Sequence, residues 1–406
     1  MRILLLNQTF HPDVVSTAQH LTDLALALVA RGHEVTVIAS RRAYDDPANV
    51  FPRSEIWRGI RIERVSTTAF GKQAKWRRAV DFASFIVTCC WRLLFVSRPE
   101  VVVALTSPPL ISFIGALYAQ WRGARLVYWV MDLNPDEAIA AGWLRDGSLA
   151  ARFLQAMSRF SLRRAHRIVA LDRFMKARIE GKGIDPGKIA VIPPWSHEDA
   201  ARFDPDGRRS FRQSHGLADK FVVMYSGNHS PCHPLDTLLA AARVLASDPR
   251  LVFLFVGGGS EFARVKRIAA EEQLGNILCL PYQPLGQLAA SLSAADLHVV
   301  VMGEPFVGLI HPCKIYNVLG VGAPVLCIGP TPSHLTEIVG ALDSPVGATV
   351  AHGAVAGCVA TLQRMRELGH RGEEHRYLPV SARFAQQELL PRLVAELERT
   401  GPREQG

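Results

Sequence analysis

None of the seven cysteines (Cys89, Cys90, Cys232, Cys279, Cys313, Cys327 and Cys358) belongs to a CxxC pair, and most sit in apolar runs such as NILCL and PVLCIG. This pattern fits free thiols in a reducing cytosol better than a disulfide framework. The opening MRILLLNQTF has neither the basic stretch nor the small-residue cleavage site of a secretory signal, so export is not expected. The apolar segment FASFIVTCCW is too short and too interrupted to cross a bilayer, which takes about 20 apolar residues. Zinc-finger and helix-turn-helix spacings are missing, and aromatic residues do not alternate with basic ones along strands. Both absences argue against a nucleic-acid partner. No low-complexity tract interrupts the chain.

The 406 residues, 49% hydrophobic and 20% charged, exceed what one core organises and fit two to three globular domains. An α/β order opens twice. Residues 2–38 read as strand RILLL, loop NQTFHPDVVSTAQ, helix HLTDLALALVARG and strand VTVIA; residues 221–259 repeat that order with FVVMY, SGNHSPCHP, LDTLLAAARVL and LVFLFVGGG. Parallel sheets of this kind gather ligands beyond the carboxyl ends of their strands, where loops and helix N-termini present N–H donors. Two such openings predict two α/β parallel-sheet domains facing across one cleft.

Charge divides the halves. Through Trp195, 27 Lys and Arg against 16 Asp and Glu give +11; the remainder, 19 against 21, carries −2. A basic first half implies an anionic partner there. Much of that charge surrounds Lys72, Lys75, Arg77 and Arg78, just before FASFIVTCCW and Arg92. With Trp76, Phe82, Phe85, Ile86 and Trp91 beside it, this segment suits the headgroup layer of an anionic membrane surface. A core helix with a solvated basic end explains the same residues equally well.

Further strands are expected at VVVALTS, RLVYWVMD, RIVAL and KIAVIPPW, with helices between. The exit of RLVYWVMD carries Asp132, Asp136 and Glu137. Asp136 and Glu137 read as ordinary first-turn acids beside a helix dipole. Asp132, at the strand terminus, is the functional candidate. Residues 196–209, charged and Pro-rich, form the expected linker. In the second half NILCL, PLGQLAASLSAA, DLHVVV and PVLCIG continue the alternation, and SARFAQQELLPRLVAELER reads as a helix bent at Pro391.

Four loops of the second half suit a phosphate or nucleotide. Gly227, Asn228 and His229 follow one strand; Gly257 and Gly258 follow the next, where glycine lets backbone approach a ligand. Tyr282 follows NILCL and suits base stacking. The fourth loop, residues 304–314, runs into a helix whose first position suits Pro312. Lys314 in that first turn opposes the helix dipole, so it asks for an anionic partner. His229, His233 and His311 gather in the same loops. HSPCH lacks a second ligand pair, which disfavours zinc, and no metal is expected. The imidazoles suit hydrogen bonds to phosphate or sugar, or else plain turn stabilisation.

The order RxxLLNQTFHPDxxSTAQH, RIVALDRFMK with KIAVIPPW, YSGN, FVGGG and HPCKIYNVLGVGAPVL resembles the retaining glycosyltransferases of family four over nearly the whole chain. Within it, DLNPD and the P-x-K-I-Y helix are similar to the WcaI/WbuB-type branch of polysaccharide glycosyltransferases. The resemblance implies the GT-B fold: a Rossmann-like acceptor-side domain over 1–195, linker 196–209, a Rossmann-like nucleotide-sugar domain over 210–378, and a C-terminal helix over 379–406 packing back on the first domain. It implies a UDP- or GDP-sugar donor, no cofactor, and an undecaprenyl-diphosphate-linked acceptor at the cytoplasmic face of the plasma membrane.

Roles implied by the resemblance fall on Asp132, Lys314 and His229 as catalytic residues. Gly227, Asn228, His233, Gly257, Gly258, Tyr282, Gly308, Leu309, Ile310, Lys314 and Asn317 would hold the donor, and Val15, Ser16 and Thr17 the acceptor or a phosphate. The family's two glutamates are replaced by Leu309 and Asn317, its basic pair by the Asn228, His229 and His233 region, and its first-domain histidine by Met131. Retention without a nucleophile implies front-face attack, with domain closure excluding water. Two rival readings are a catalytically degenerate nucleotide-sugar scaffold and a UDP-sugar epimerase of the same fold.

Overall fold

The computed structural model describes residues 1–44, 46, 48–70, 75–196, 202–342, 346–368 and 378–399. It divides into two compact units. Unit 1 comprises Met1–Pro194, Gly308–His311 and Leu389–Gly406; unit 2 comprises Trp195–Val307 and Pro312–Glu388.

Unit 1 is built on eight strands: β1 (Arg2–Leu6), β2 (Glu34–Ser40), β3 (Ser54–Trp57), β4 (Ile60–Val65), β5 (Val101–Ala104), β6 (Arg125–Trp129), β7 (Arg167–Ala170) and β8 (Ile189–Val191). Their order is β3-β4-β2-β1-β5-β6-β7-β8, parallel throughout except for β3 against β4. Val101, Val102, Val103 and Ala104 are all fully buried, as strands covered by helices on both faces require. The β3–β4 hairpin is not anticipated from the sequence. Its two-residue turn is Arg58-Gly59, both at positive φ (48° and 82°), the twist-matched hairpin geometry without the usual Asn-Gly signal.

The helix Lys75–Leu93 presents two apolar faces. Phe85, Cys89 and Leu93 are buried, so the core-helix reading accounts for one side, and Phe85 is withdrawn from any membrane-facing set. Phe82 and Ile86 are half-buried. On the outer side Trp76 (60% exposed), Val80, Ala83, Val87 and Trp91 (66% exposed) follow one another at three- and four-residue spacing, and Phe95 continues the line. Trp121, on the helix Ile111–Arg122, is equally exposed. Arg77 and Arg122 place guanidinium groups 5.5 and 4.7 Å from the Trp76 and Trp121 ring centroids. Lys72 lies outside the described residues, as do the side chains of Lys75 and Arg78.

The last helix, Gln386–Glu398, runs through Pro391; its Leu389, Leu393 and Leu397 are fully buried. In unit 1 its Glu396 accepts from Arg167 at 2.5 Å, and Glu398 meets Arg31 and His33 at 2.9 and 3.1 Å. Residues 378–382 form a separate short helix, and residues 400–406 lie outside the description.

Unit 2 has six parallel strands: β9 (Phe221–Asn228), β10 (Leu251–Gly258), β11 (Ile277–Leu280), β12 (Leu297–Val301), β13 (Val325–Ile328) and β14 (Gly347–Val350), ordered β11-β10-β9-β12-β13-β14. Alternate residues feed two cores. Val223, Tyr225, Phe253, Phe255 and Val299 pack with Leu238 and Leu239 on one face; Val222, Met224, Leu254 and Val256 pack with Leu292 and Phe211 on the other.

Of the expected linker 196–209, residues 197–201 lie outside the description, and the remainder differs from the expectation of an aperiodic segment. A helix starts at Pro205 and runs to Ser214, capped by Asp204, which accepts from Gly207 N at 2.9 Å. Asp296 anchors it, accepting from Arg208 at 2.5 Å, Arg212 at 2.9 Å and the Val222 amide at 2.8 Å. Arg212 is buried, so removing the carboxylate strands a guanidinium charge. Asp296→Ala is therefore expected to destabilise the protein by about 2–3 kcal/mol in urea unfolding, whereas a change below about 0.5 kcal/mol would mean that carbonyl acceptors alone satisfy Arg212.

Candidate active site

In unit 2 the strand register pairs Gly227 with Gly257 and Asn228 with Gly258 at the carboxyl ends of β9 and β10. Gly257 has φ +134°, and a Cβ there would stand 2.1 Å from the Gly227 carbonyl oxygen, so only glycine lets the two turns close. At Gly258 a Cβ would stand 2.9 Å from the Tyr282 ring; the missing side chain leaves room for that half-exposed aromatic. The His229 amide donates to Gly258 O at 2.7 Å, and the Gly303 amide to Cys232 O at 2.9 Å, which ties the exits of β9, β10 and β12 together.

Lys314 opens the helix Lys314–Val321. Pro312 precedes the N-cap, Cys313, and so stands outside the helix rather than at its first position. The Lys314 ammonium donates to Tyr225 Oη at 2.6 Å and stands 3.9 Å from the Tyr225 ring centroid. No carboxylate among the described residues pairs with it, and burial pulls the amine down from its ordinary range to about 7. Tyr225 Oη in turn donates to Asn228 O at 2.9 Å. Asn317, one helical turn beyond Lys314, is half-buried.

The histidines serve the loops. His229 is fully buried against Tyr225, Phe255 and Phe262, its Nδ1 donates to Gly227 O at 3.0 Å, and its Nε2 is enclosed without a partner. Burial first, and then the Lys314 charge, lower it to about 4, so the ring is neutral at pH 7. His233 Nδ1 likewise donates to Val301 O at 2.8 Å, and burial holds it well below its usual range. For both, turn stabilisation accounts for the proton expected to reach phosphate. His229, a catalytic candidate from the sequence, is thus an enclosed neutral ring whose Nδ1 proton is committed to the Gly227 turn.

In unit 1, Asp132 follows β6 by three residues and is half-buried. No hydrogen bond among the described residues holds its carboxyl. Burial raises it to about 6 against a partial lowering by His311. Its neighbours have ordinary structural duties: Asp136 pairs with Lys182 at 2.6 Å, and Glu137 accepts from Asn134 at 3.2 Å. Asp172, which the sequence analysis does not single out, accepts from Met175 N with one oxygen and from His311 Nδ1 with the other, both at 2.8 Å. Leu309 O accepts from Leu133 N at 2.8 Å. Gly308, Leu309 and Ile310 thus group with unit 1, while Lys314 groups with unit 2. Val15, half-buried, and Ser16 and Thr17 open the helix Ser16–Ala30, which no side chain caps; Thr17 meets Thr9 at 3.1 Å.

Two family matches then divide the chain. Residues 17–195 match the Glycosyl transferase 4-like domain, and residues 207–309 match Glycosyl transferases group 1. The chain is a family-four glycosyltransferase of the GT-B architecture. This glycosyltransferase is 28% identical over 337 residues to WcaI, the colanic acid biosynthesis glycosyl transferase of Escherichia coli K12, covering 79% of this chain and 82% of that one. Its fold is similar to sucrose-phosphate synthase of Thermosynechococcus elongatus (TM-score 0.75, 16% identity, 98% of both chains) and to HepE of Anabaena in complex with UDP-glucose (TM-score 0.72, 16% identity, 98% of this chain and 100% of that one).

Asp132 allows a test independent of any substrate. Its pKa is raised on folding from 3.8 to about 6, so the native state binds more protons between those values and stability falls as pH rises through the window. Asp132→Asn is expected to be more stable than the parent above pH ~6, by on the order of 1–2 kcal/mol after discounting for solvent, with the difference closing toward pH ~4. Melting curves across that range that show no pH-dependent gap would place the carboxyl in open solvent.

Proposed function

We propose that this glycosyltransferase moves a sugar from a nucleotide diphosphate donor, UDP or GDP, to a glycan carried on undecaprenyl diphosphate, with retention at the anomeric carbon. The observation that carries the reading is Lys314: an amine at a helix start, among glycine turns at strand ends, with no acid among the described residues to balance it. A diphosphate supplies that balance. HepE, described with UDP-glucose, and WcaI, assigned to colanic acid biosynthesis, support the donor class and a polysaccharide product.

In this reading the exits of β9 and β10 and the exposed face of Tyr282 receive the nucleotide. Lys314 takes the charge that develops on the leaving diphosphate, the point where preorganised electrostatics lower the barrier most. Leu309 and Asn317 stand where the family carries carboxylates, so neither offers a nucleophile, and attack on the same face as the departing phosphate preserves configuration. Asp132, without a partner of its own, orients an acceptor hydroxyl. Gly308 and Ile310 keep the donor-binding role read from the sequence, and Val15, Ser16 and Thr17 offer an open helix start to the acceptor or a phosphate.

Turnover decides among the readings. With a lipid-diphosphate-linked acceptor, nucleotide diphosphate is expected to be released from a UDP- or GDP-sugar, and Lys314→Ala should weaken nucleotide diphosphate binding by about 1–3 kcal/mol. Unchanged affinity removes Lys314 from the site; conversion of the donor sugar without acceptor indicates an epimerase, and binding without turnover a scaffold.

The outer stripe of the helix Lys75–Leu93 completes the proposal. Among the described residues no helix is long and apolar enough to cross a membrane. Trp76, Val87, Trp91, Phe95 and Trp121, with Arg77 and Arg122 beside the indoles, instead suit insertion at headgroup depth on an anionic leaflet. Sedimentation with vesicles should require anionic lipid, fall with salt, and drop at least fivefold in a Trp76→Ala/Trp91→Ala variant. Equal partitioning onto neutral vesicles would rule out charge-assisted docking.

A further inference from the structure

Resting on that donor site, a second residue has work that neither the family matches nor the reading above assigns. Tyr225 is fully buried, its ring packed in the core face shared with Phe253 and Phe255, and its hydroxyl fixed by Asn228 O. That rigid phenol is the sole hydrogen-bond acceptor of the Lys314 amine among the described residues. We propose that Tyr225 is a positioning residue: its ring face and hydroxyl seat Lys314 Nζ where no acid balances it, so that the donor's diphosphate supplies the counter-charge and its binding draws a proton from solvent onto the amine.

Among the described residues, the imidazoles that feel the Lys314 charge are themselves uncharged. His229 and His233, on the loop after β9, are neutral and bonded to backbone. Tyr282 and Cys232 face Tyr225, whose own hydroxyl burial pushes further up. The dipole of the helix that Lys314 opens adds positive potential. Against these, the ring face offers cation–π attraction and the phenol oxygen a lone pair, which together keep the amine in place without fixing its charge. An amine that titrates near 7 is half-protonated at neutral pH, and two phosphate oxygens convert it wholly to the ammonium form.

The test is calorimetric titration of the full chain with UDP-glucose and GDP-mannose in buffers of different ionisation enthalpy. Their phosphodiesters have no group that titrates near neutrality. For whichever nucleotide sugar binds, uptake of about 0.9 proton at pH 8 and about 0.1 at pH 6 is expected, from the change in occupancy of a group that titrates near 7. Lys314→Arg, which stays charged throughout, should bind with no uptake at pH 8. Tyr225→Phe keeps the ring but removes the acceptor that favours the charged amine, so affinity should fall about three- to tenfold and the pH midpoint of uptake should move lower. Binding without proton uptake overturns the linkage. An unmoved midpoint in Tyr225→Phe reduces the phenol to a core residue. Failure of both sugar nucleotides, and of UDP and GDP, to bind overturns the donor reading and this inference with it.

Discussion

A lysine amine buried over an aromatic ring, at the positive end of a helix and with no acid among the described residues in reach, is the constraint on which the proposed donor site depends. Desolvation and the helix dipole both disfavour its charge, and only the phenol of Tyr225 holds it in place. The surroundings avoid adding to the burden. His229 and His233 stay neutral and spend their N–H groups on backbone carbonyls, and the glycine turns bring main chain rather than side chains to the strand ends. An acidic residue beside Lys314 would have settled the charge internally and left nothing to attract an anion.

Unit 1 carries the opposite deficit. Asp132 is a carboxyl raised to about 6 by burial, with no cation among the described residues paired to it, whereas Asp136 nearby is neutralised by Lys182. Within four residues one acid is structural and the other is left in want of a donor. In the proposed reaction an acceptor hydroxyl would meet that need, as a diphosphate would meet the need of Lys314. The two deficits have opposite sign and differ in chemistry, which is what two-substrate group transfer asks of its host.

Much of this was legible in the sequence because parallel sheets write themselves in β-branched runs bounded by glycine. VVVA, FVVMY and LVFLFV name their strands directly, and Lys314 declares itself by standing where a helix dipole repels it. What was not legible depends on tertiary partners. The hairpin of β3 and β4 turns on Arg58-Gly59 and has only four and six residues of strand, too little periodicity to stand out. The helix from Pro205 has a polar sequence that becomes helical through its Asp204 cap and the grip of Asp296 on two arginines. Tyr225 passes in the sequence as the last residue of the strand FVVMY, since nothing in YSGN shows that a lysine 89 residues away reaches its hydroxyl. For His229 and His233 the sequence left phosphate binding and turn stabilisation open, and their bonds to Gly227 O and Val301 O depend on tertiary enclosure that type and loop position do not reveal.

The stripe on the helix Lys75–Leu93 is a different kind of observation, because folding does not require it. Phe85, Cys89 and Leu93 already bury the inner face, and the strands beneath would be covered equally well if Trp76, Val80, Val87 and Trp91 were glutamine or lysine. Indoles left in water gain nothing for stability and enlarge the apolar patch through which chains associate. Their cost is offset only where a surface removes them from water. The arginines set against Trp76 and Trp121 suit a surface that is apolar within and anionic without, since a guanidinium can rest on the ring and still reach a phosphate. In the proposed docking a lipid leaflet would meet both layers of the patch at once, whereas a second protein would need a matching groove and gain little from arginines at that height.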